Sequence, residues 1–192
     1  MAHWNNALVK ECKLIAAGTG AFGTTLDNAA AAEVSGSSNL VRLPSTGHGF
    51  KAGSMLEIAG STNYNVNVAV PAVATDTFDI YSDYTAETFG GSETVRIVLT
   101  SGSPFELLEV KLHVGVAPTT AENFTITRDA NEGSYWDELI RSYGMSGVTD
   151  FVWDVRDIPL RYQPDDKLIF AWSNSDGRTF GLEVIYGRCG GK

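Results

Sequence analysis

Cysteine is scarce in this chain: Cys12 and Cys189 are the only two, and they stand near opposite ends. So little sulfur excludes a disulfide-dense secreted scaffold and a zinc site built on thiolates. Both are read as unbridged thiols. Histidine is almost as rare, with His3, His48 and His113 alone. No His-x-His, His-Glu-x-x-His or Cys-x-x-Cys spacing occurs, so no metal site and no cofactor is expected. Basic side chains number 14 against 23 acidic ones, a formal charge of -9, and they never gather in a run. Nucleic acid is therefore not an expected partner, because gripping a phosphate backbone needs a positive patch. The acidity is read as solubility and mutual repulsion between copies. No apolar run approaches the length of a membrane-spanning helix, and no membrane partner is expected. The opening residues, Met1 to Asn6, lack a basic region followed by an apolar core, so no signal peptide is read and synthesis in a cytoplasm is expected.

Sustained helical periodicity is missing as well, and what fills its place is alternation. Twenty glycines, nine phenylalanines, seven tyrosines and four tryptophans, within 43% hydrophobic content, suit many short strands around a real core. The fold class expected is all-β. From Thr46 to Tyr81 the chain reads Gly47-His48-Gly49-Phe50, Gly53, Met55 to Ile58, a turn at Gly60 to Asn65, and two further alternating runs. Glycine and asparagine sit where turns need positive φ, and β-branched or aromatic residues fill the runs between. With Leu40 to Leu43 before it and Thr94 to Leu99 after it, this stretch predicts five strands of a small β-barrel or β-sandwich over residues 39–94.

On either side lies a second pattern. In Leu108-Glu109-Val110-Lys111-Leu112-His113-Val114 every second residue is apolar, the mark of a sheet with one face in a core. Residues 124–127, 151–153, 168–172 and 180–186 repeat it. Ser134 to Tyr143 fits either a helical face or one face of a strand, and a strand is preferred beside strand neighbours. Asn174 to Gly177 reads as a hairpin turn. The expected architecture is a jelly-roll-like β-sandwich from residues 1–34 plus 95–192, with an N-terminal arm, interrupted by the module at 39–94. Ser35-Gly36-Ser37-Ser38 reads as a flexible linker, and Ala29 to Ala32 as a short helical turn.

Catalytic chemistry finds little support. A nucleophilic triad needs a positioned histidine, and only His48 lies in a structured loop away from a solvent face. No Gly-x-Ser-x-Gly elbow accompanies it, and a histidine between glycines reads as a turn residue bonding its own backbone. Asp165-Asp166 and Asp154 with Asp157 are the visible carboxylate pairs for a hydrolase. Gln163 to Lys167 reads better as a β-turn than as machinery. Gly18 to Gly23 meets a dinucleotide spacing only in part and lacks a βαβ setting, and Asn123-Phe124-Thr125 is a chance sequon. Of the tryptophans, Trp153 and Trp172 fall in core-like runs, and Trp136 is the one placed to meet a ligand. No catalytic residue is assigned. The candidate surface-binding residues are Trp136, Tyr135, His48 and Phe50.

The run Gly47-His48-Gly49-Phe50-x-x-Gly53, Leu56 to Gly60, Asn63-Tyr64-Asn65 and Thr77 to Ile80 resembles small β modules of tailed-bacteriophage virion proteins. Residues 105–188, with Leu107 to Leu112, Glu122 to Ile126, Gly147 to Asp150 and Thr179 to Tyr186, look like the β-sandwich of phage head-decoration or accessory proteins. The resemblance implies a non-enzymatic virion subunit bound to the major capsid protein or another virion protein, homo-oligomeric and by analogy trimeric. A tail- or fibre-associated module that binds a receptor or glycan is the alternative.

Overall fold

The computed structural model describes residues 10–37 and 39–188. His3, Ser38 and Cys189, which figure in the sequence reading, lie outside the described residues. The described residues form β1 (Lys10–Gly18), β2 (Gly23–Thr25), β3 (Ala32–Glu33), β4 (Leu40–Pro44), β5 (Met55–Ala59), β6 (Val66–Ala69), β7 (Thr77–Tyr81), β8 (Thr94–Thr100), β9 (Phe105–Val114), β10 (Asn123–Asp129), β11 (Glu138–Gly144), β12 (Asp150–Asp154), β13 (Leu160–Tyr162), β14 (Lys167–Ala171) and β15 (Phe180–Arg188). One 3-10 turn, Ser134–Trp136, precedes β11. The protein is all-β, as the alternation and glycine punctuation predict.

The strands make three antiparallel sheets. One has the order β1-β15-β9-β12, with β13 also on β9. A second has the order β11-β10-β14-β8-β5-β6, with β2 also on β8, and the third is β3-β4-β7. The first two face each other across an aromatic core. Phe124 of β10 meets Phe151 of β12 edge-on at 5.3 Å, and Phe22 packs against Phe180 of β15 at 4.5 Å between ring centres.

The pattern of β9 shows how the sequence dictates this arrangement. Phe105 and Leu107 are buried, and so are Val110, Leu112 and Val114, a change of phase that requires one extra residue. That residue is Leu108: Tyr186 of β15 pairs with Leu107 and Ile185 with Glu109, and on the other edge β12 gives way to β13 at the same point. Such a bulge bends the strand while keeping both apolar sets inward.

The stretch 39–94 places β5 and β6 in the same sheet as β8, β14, β10 and β11, and β4 and β7 in the small sheet with β3. Thr94 to Arg96 of β8 pair with β5 and β2, whereas Ile97 to Thr100 pair with β14. Glu57 of β5, only 4% exposed, reaches across β8 to Lys167 of β14 at 2.6 Å and faces Arg96 at 3.6 Å.

Several local expectations give way. Residues 10–34 are no arm: β1 pairs along its whole length with β15, and Phe22 and Leu26 are fully buried. Ser35 to Ser37 are not a flexible linker but the turn of a β3–β4 hairpin, closed by Val34 N–H to Leu40 O. The alanines form no helical turn, because Ala30 bridges to Thr88 and Ala32 pairs with Arg42; sheet pairing outweighs their small helical preference. Asn174 to Gly177 takes the expected turn, with φ 48° at Asn174 and 62° at Gly177. It joins strands of opposite sheets, however, and so forms a corner in place of a hairpin. The Asn174 side chain explains this: its amide donates to Thr19 O, Gly20 O and Arg178 O, and its Oδ1 accepts from Arg178 N–H.

Candidate functional site

The four candidate surface-binding residues separate into two pairs. His48 and Phe50 are each 3% exposed, so they cannot present a binding surface. Gly47 (φ 65°) and Gly49 (φ 68°) turn the loop back on itself. His48 Nδ1 thereby accepts the Phe50 N–H at 2.9 Å, while Nε2 faces Ala74 O at 3.0 Å and Thr77 O at 3.2 Å. With two carbonyls before it, Nε2 carries the proton and Nδ1 is the acceptor. The turn-residue reading captures half of this. The other half is a clamp across to the Ala74–Thr77 segment, with the imidazole stacked on Phe50 and edge-on to Phe78.

Close backbone contact holds the loop in place. Gly18 and Gly20 pass so near Gly49 and His48 that an added Cβ would lie 2.4 Å from Gly49 O or His48 O, and a Cβ on Gly49 would lie 2.1 Å from Gly20 N. The glycines at 18 and 20, which fit no nucleotide motif, are there for this approach.

Tyr135 and Trp136 behave in the opposite way. The tight turn after Gly133 (φ 114°) lifts them off the sheet, leaving Tyr135 99% and Trp136 64% exposed. Asp137 ties the turn down through Oδ1, which accepts the Ala130 N–H at 3.0 Å. The preferred strand follows as β11, at the outer edge of its sheet, where Leu139 and Tyr143 are also exposed. Tyr143 leans on Phe151 and Arg141 lies over Trp153, 5.5 Å from its ring centre, so β11 and β12 together close this flank.

Carboxylates elsewhere serve the backbone. Asp166 is fully buried and accepts from Arg128, Asn131 N–H and Gln163 N–H. Asp165 beside it takes the left-handed turn position at φ 65°. Asp154 accepts from the backbone and guanidinium of Arg156. Asp176 is held well below the usual carboxylate range by Thr120 Oγ1, then by the Thr119 N–H. The Gly90 N–H leads the interactions that keep Glu93 low. Burial opposes ionisation of Glu87, but donors at Thr62, Asn63 and Ser61 outweigh it and lower its pKa. His113 on the solvent side of β9 pairs with Asp150 at 2.7 Å and leads the lowering of that carboxyl's pKa.

No three His, Cys, Asp or Glu side chains among the described residues converge as a metal site. A shallow trough of about 350 Å³ lies over Ala21, Gly23, Asn123, Thr125, Ala171 and Ser173 and offers amides and hydroxyls without a titratable group. Trp172 is buried as expected, and Trp153 is half-buried beneath Arg141. No protein-family model matches the chain, and neither a curated protein nor a solved structure matches it. What the fold defines is an antiparallel, layered all-β protein whose two most exposed aromatic side chains, Tyr135 and Trp136, stand side by side on one turn.

Proposed function

We propose that this chain is a non-enzymatic structural subunit of a tailed-bacteriophage particle, a capsid-decoration or head-accessory protein that binds and stabilises the particle surface. In this reading it works in the virion as a homo-oligomer and takes its shape from a jelly-roll-like sandwich carrying the 39–94 module. The observation that carries the reading is the exposed pair Tyr135 and Trp136 on a tied-down turn, followed by an edge strand that leaves Leu139 exposed on one face and Tyr143 on the other. Exposed large apolar groups on a firm scaffold suit attachment to another protein. The sequence resemblance supplies the kind of particle.

Electron microscopy of particles assembled with and without this protein tests the proposal. Density lost at regular positions on the head supports it; particles identical in both preparations overturn it. A second reading is favoured by Tyr135 and Trp136 alone, since adjacent exposed aromatic faces can stack on sugar rings. It makes the protein a tail- or fibre-associated glycan binder. Glycan-array binding that vanishes in Trp136→Ala supports this alternative, and an array without signal removes it.

A further inference from the structure

The outer edge of β11 is built to meet its own copy. Among the described residues β11 pairs only with β10, so the backbone N–H and C=O groups on its other side face outward along Glu138–Gly144. Edge strands of this length are ordinarily blunted by charge, proline or a covering loop. At the far edge of the other large sheet the loop after β4 meets the end of β1, with Lys51 N–H on Ala17 O and Thr19 N–H on Gly49 O. Among the described residues no loop covers β11, whose edge carries the charges of Glu138 and Arg141 and the bulge at Ile140.

Its charges point to the occupant. Arg42, Arg96, Arg128, Arg156, Arg161 and Arg178 each face a carboxylate. Among the described residues Arg141 lies over the Trp153 ring, and neither it nor Glu138 enters an ion pair. A strand with an unmatched acid at its start and an unmatched base at its middle complements itself when two copies run antiparallel about a point between the two charges.

The bulge fixes the register. Arg141 pairs with Ile126 and Leu139 with Thr127, so Ile140 is the extra residue and 139 and 141 occupy successive rungs on opposite faces. A two-fold perpendicular to the sheet keeps each face on its own side, so it must pass through a rung and cannot fall between two. Centred on Leu139, it sets Leu139 against Leu139, Arg141 against Glu138 on the core-side face, and Tyr143 toward Trp136. Centred on Arg141, it would oppose two like charges, which is unfavourable directly across a strand pair.

We infer that two copies of this chain associate through β11, antiparallel about a two-fold at Leu139, joining their sheets edge to edge. The interface is isologous and closes at two, because each copy has one β11. It differs from the three-fold that the resemblance implies and stands independently of the virion reading, since it concerns the isolated protein.

The test is charge reversal read by sedimentation equilibrium. Arg141→Glu and Glu138→Arg each oppose like charges and are expected to weaken dimerisation at least about tenfold. The double variant restores both pairs and returns the dissociation constant to within about threefold of the parent. Leu139→Lys, at an exposed position, abolishes the dimer by placing two ammonium groups on the axis. Hydrogen exchange on the unaltered protein gives an independent readout: amides of residues 138–144 slow as protein concentration rises, with no matching change elsewhere. A protein that stays monomeric at about 100 μM, a dimer indifferent to both single reversals, or β11 exchange independent of concentration overturns the proposal.

Discussion

His48 joins two loops through three backbone groups, and its removal takes the partner from Phe50 N–H and Ala74 O inside the protein, while Thr77 O keeps the Ala74 N–H. His48→Ala is expected to lower stability by about 2–4 kcal/mol, combining unsatisfied polar groups with a cavity beside Phe50 and Phe78. Trp136→Ala, on an exposed turn, should stay within about 0.5 kcal/mol of the parent. Urea unfolding of the two variants side by side checks both values. Gly49→Ala imposes a Cβ on a left-handed residue against the Gly20 backbone, and is expected to cost more than about 2 kcal/mol or prevent folding. The glycine pattern around His48 made a structured turn legible in sequence. The partner carbonyls of Ala74 and Thr77 were not, because nothing local connects residue 48 to a loop 26 positions on.

Strands were legible wherever alternation met a half-buried sheet, as in β9 and β15. They were obscured in residues 20–34, where β2 and β3 are only three and two residues long and take their structure from neighbours. Phe22 illustrates this, since its N–H donates to Trp172 O and its C=O accepts from Ile97 N–H, while its ring sits among Phe124, Trp172 and Phe180. A single phenylalanine between glycines carries no periodic signal, yet Phe22→Ala should destabilise by about 3–5 kcal/mol. Limited proteolysis of the native protein should spare residues 19–34; rapid cleavage there would contradict their integration. At β11 the alternation was ambiguous for a physical reason. The turn at Ser134–Trp136 is helical in curvature, and the bulge at Ile140 breaks the two-residue period. The exposed pair Tyr135 and Trp136 could be read from sequence, whereas the burial of His48 and Phe50 depended on contacts far along the chain.

For the whole molecule the depressed carboxylates decide the response to acid. Asp176, Glu87, Glu93, Asp150 and Glu183 all have folded pKa values below their ordinary ones. Groups of this sign contribute stability that is fully present above the unfolded values, near about 4, and is lost as pH falls through the folded ones. The unfolding midpoint in urea should therefore change little from neutrality to about pH 5 and decline below about pH 4, with Asp176→Asn showing a shallower decline. A midpoint that rises on acidification would contradict this. Sharing β8 should also make thermal unfolding a single transition by calorimetry, with no separate step for residues 39–94.

That shared strand also limits how such a protein can be recombined. A segment bounded by loops can be moved between hosts as a cassette, with both partners keeping intact sheets. Here a cut after residue 94 would fall inside β8, a strand whose first half belongs with β5 and β2 and whose second half belongs with β14. Grafting the module elsewhere would require carrying β8, β2 and the Lys167 partner of Glu57 with it. The exchangeable unit is larger than the stretch that looks separable in the sequence.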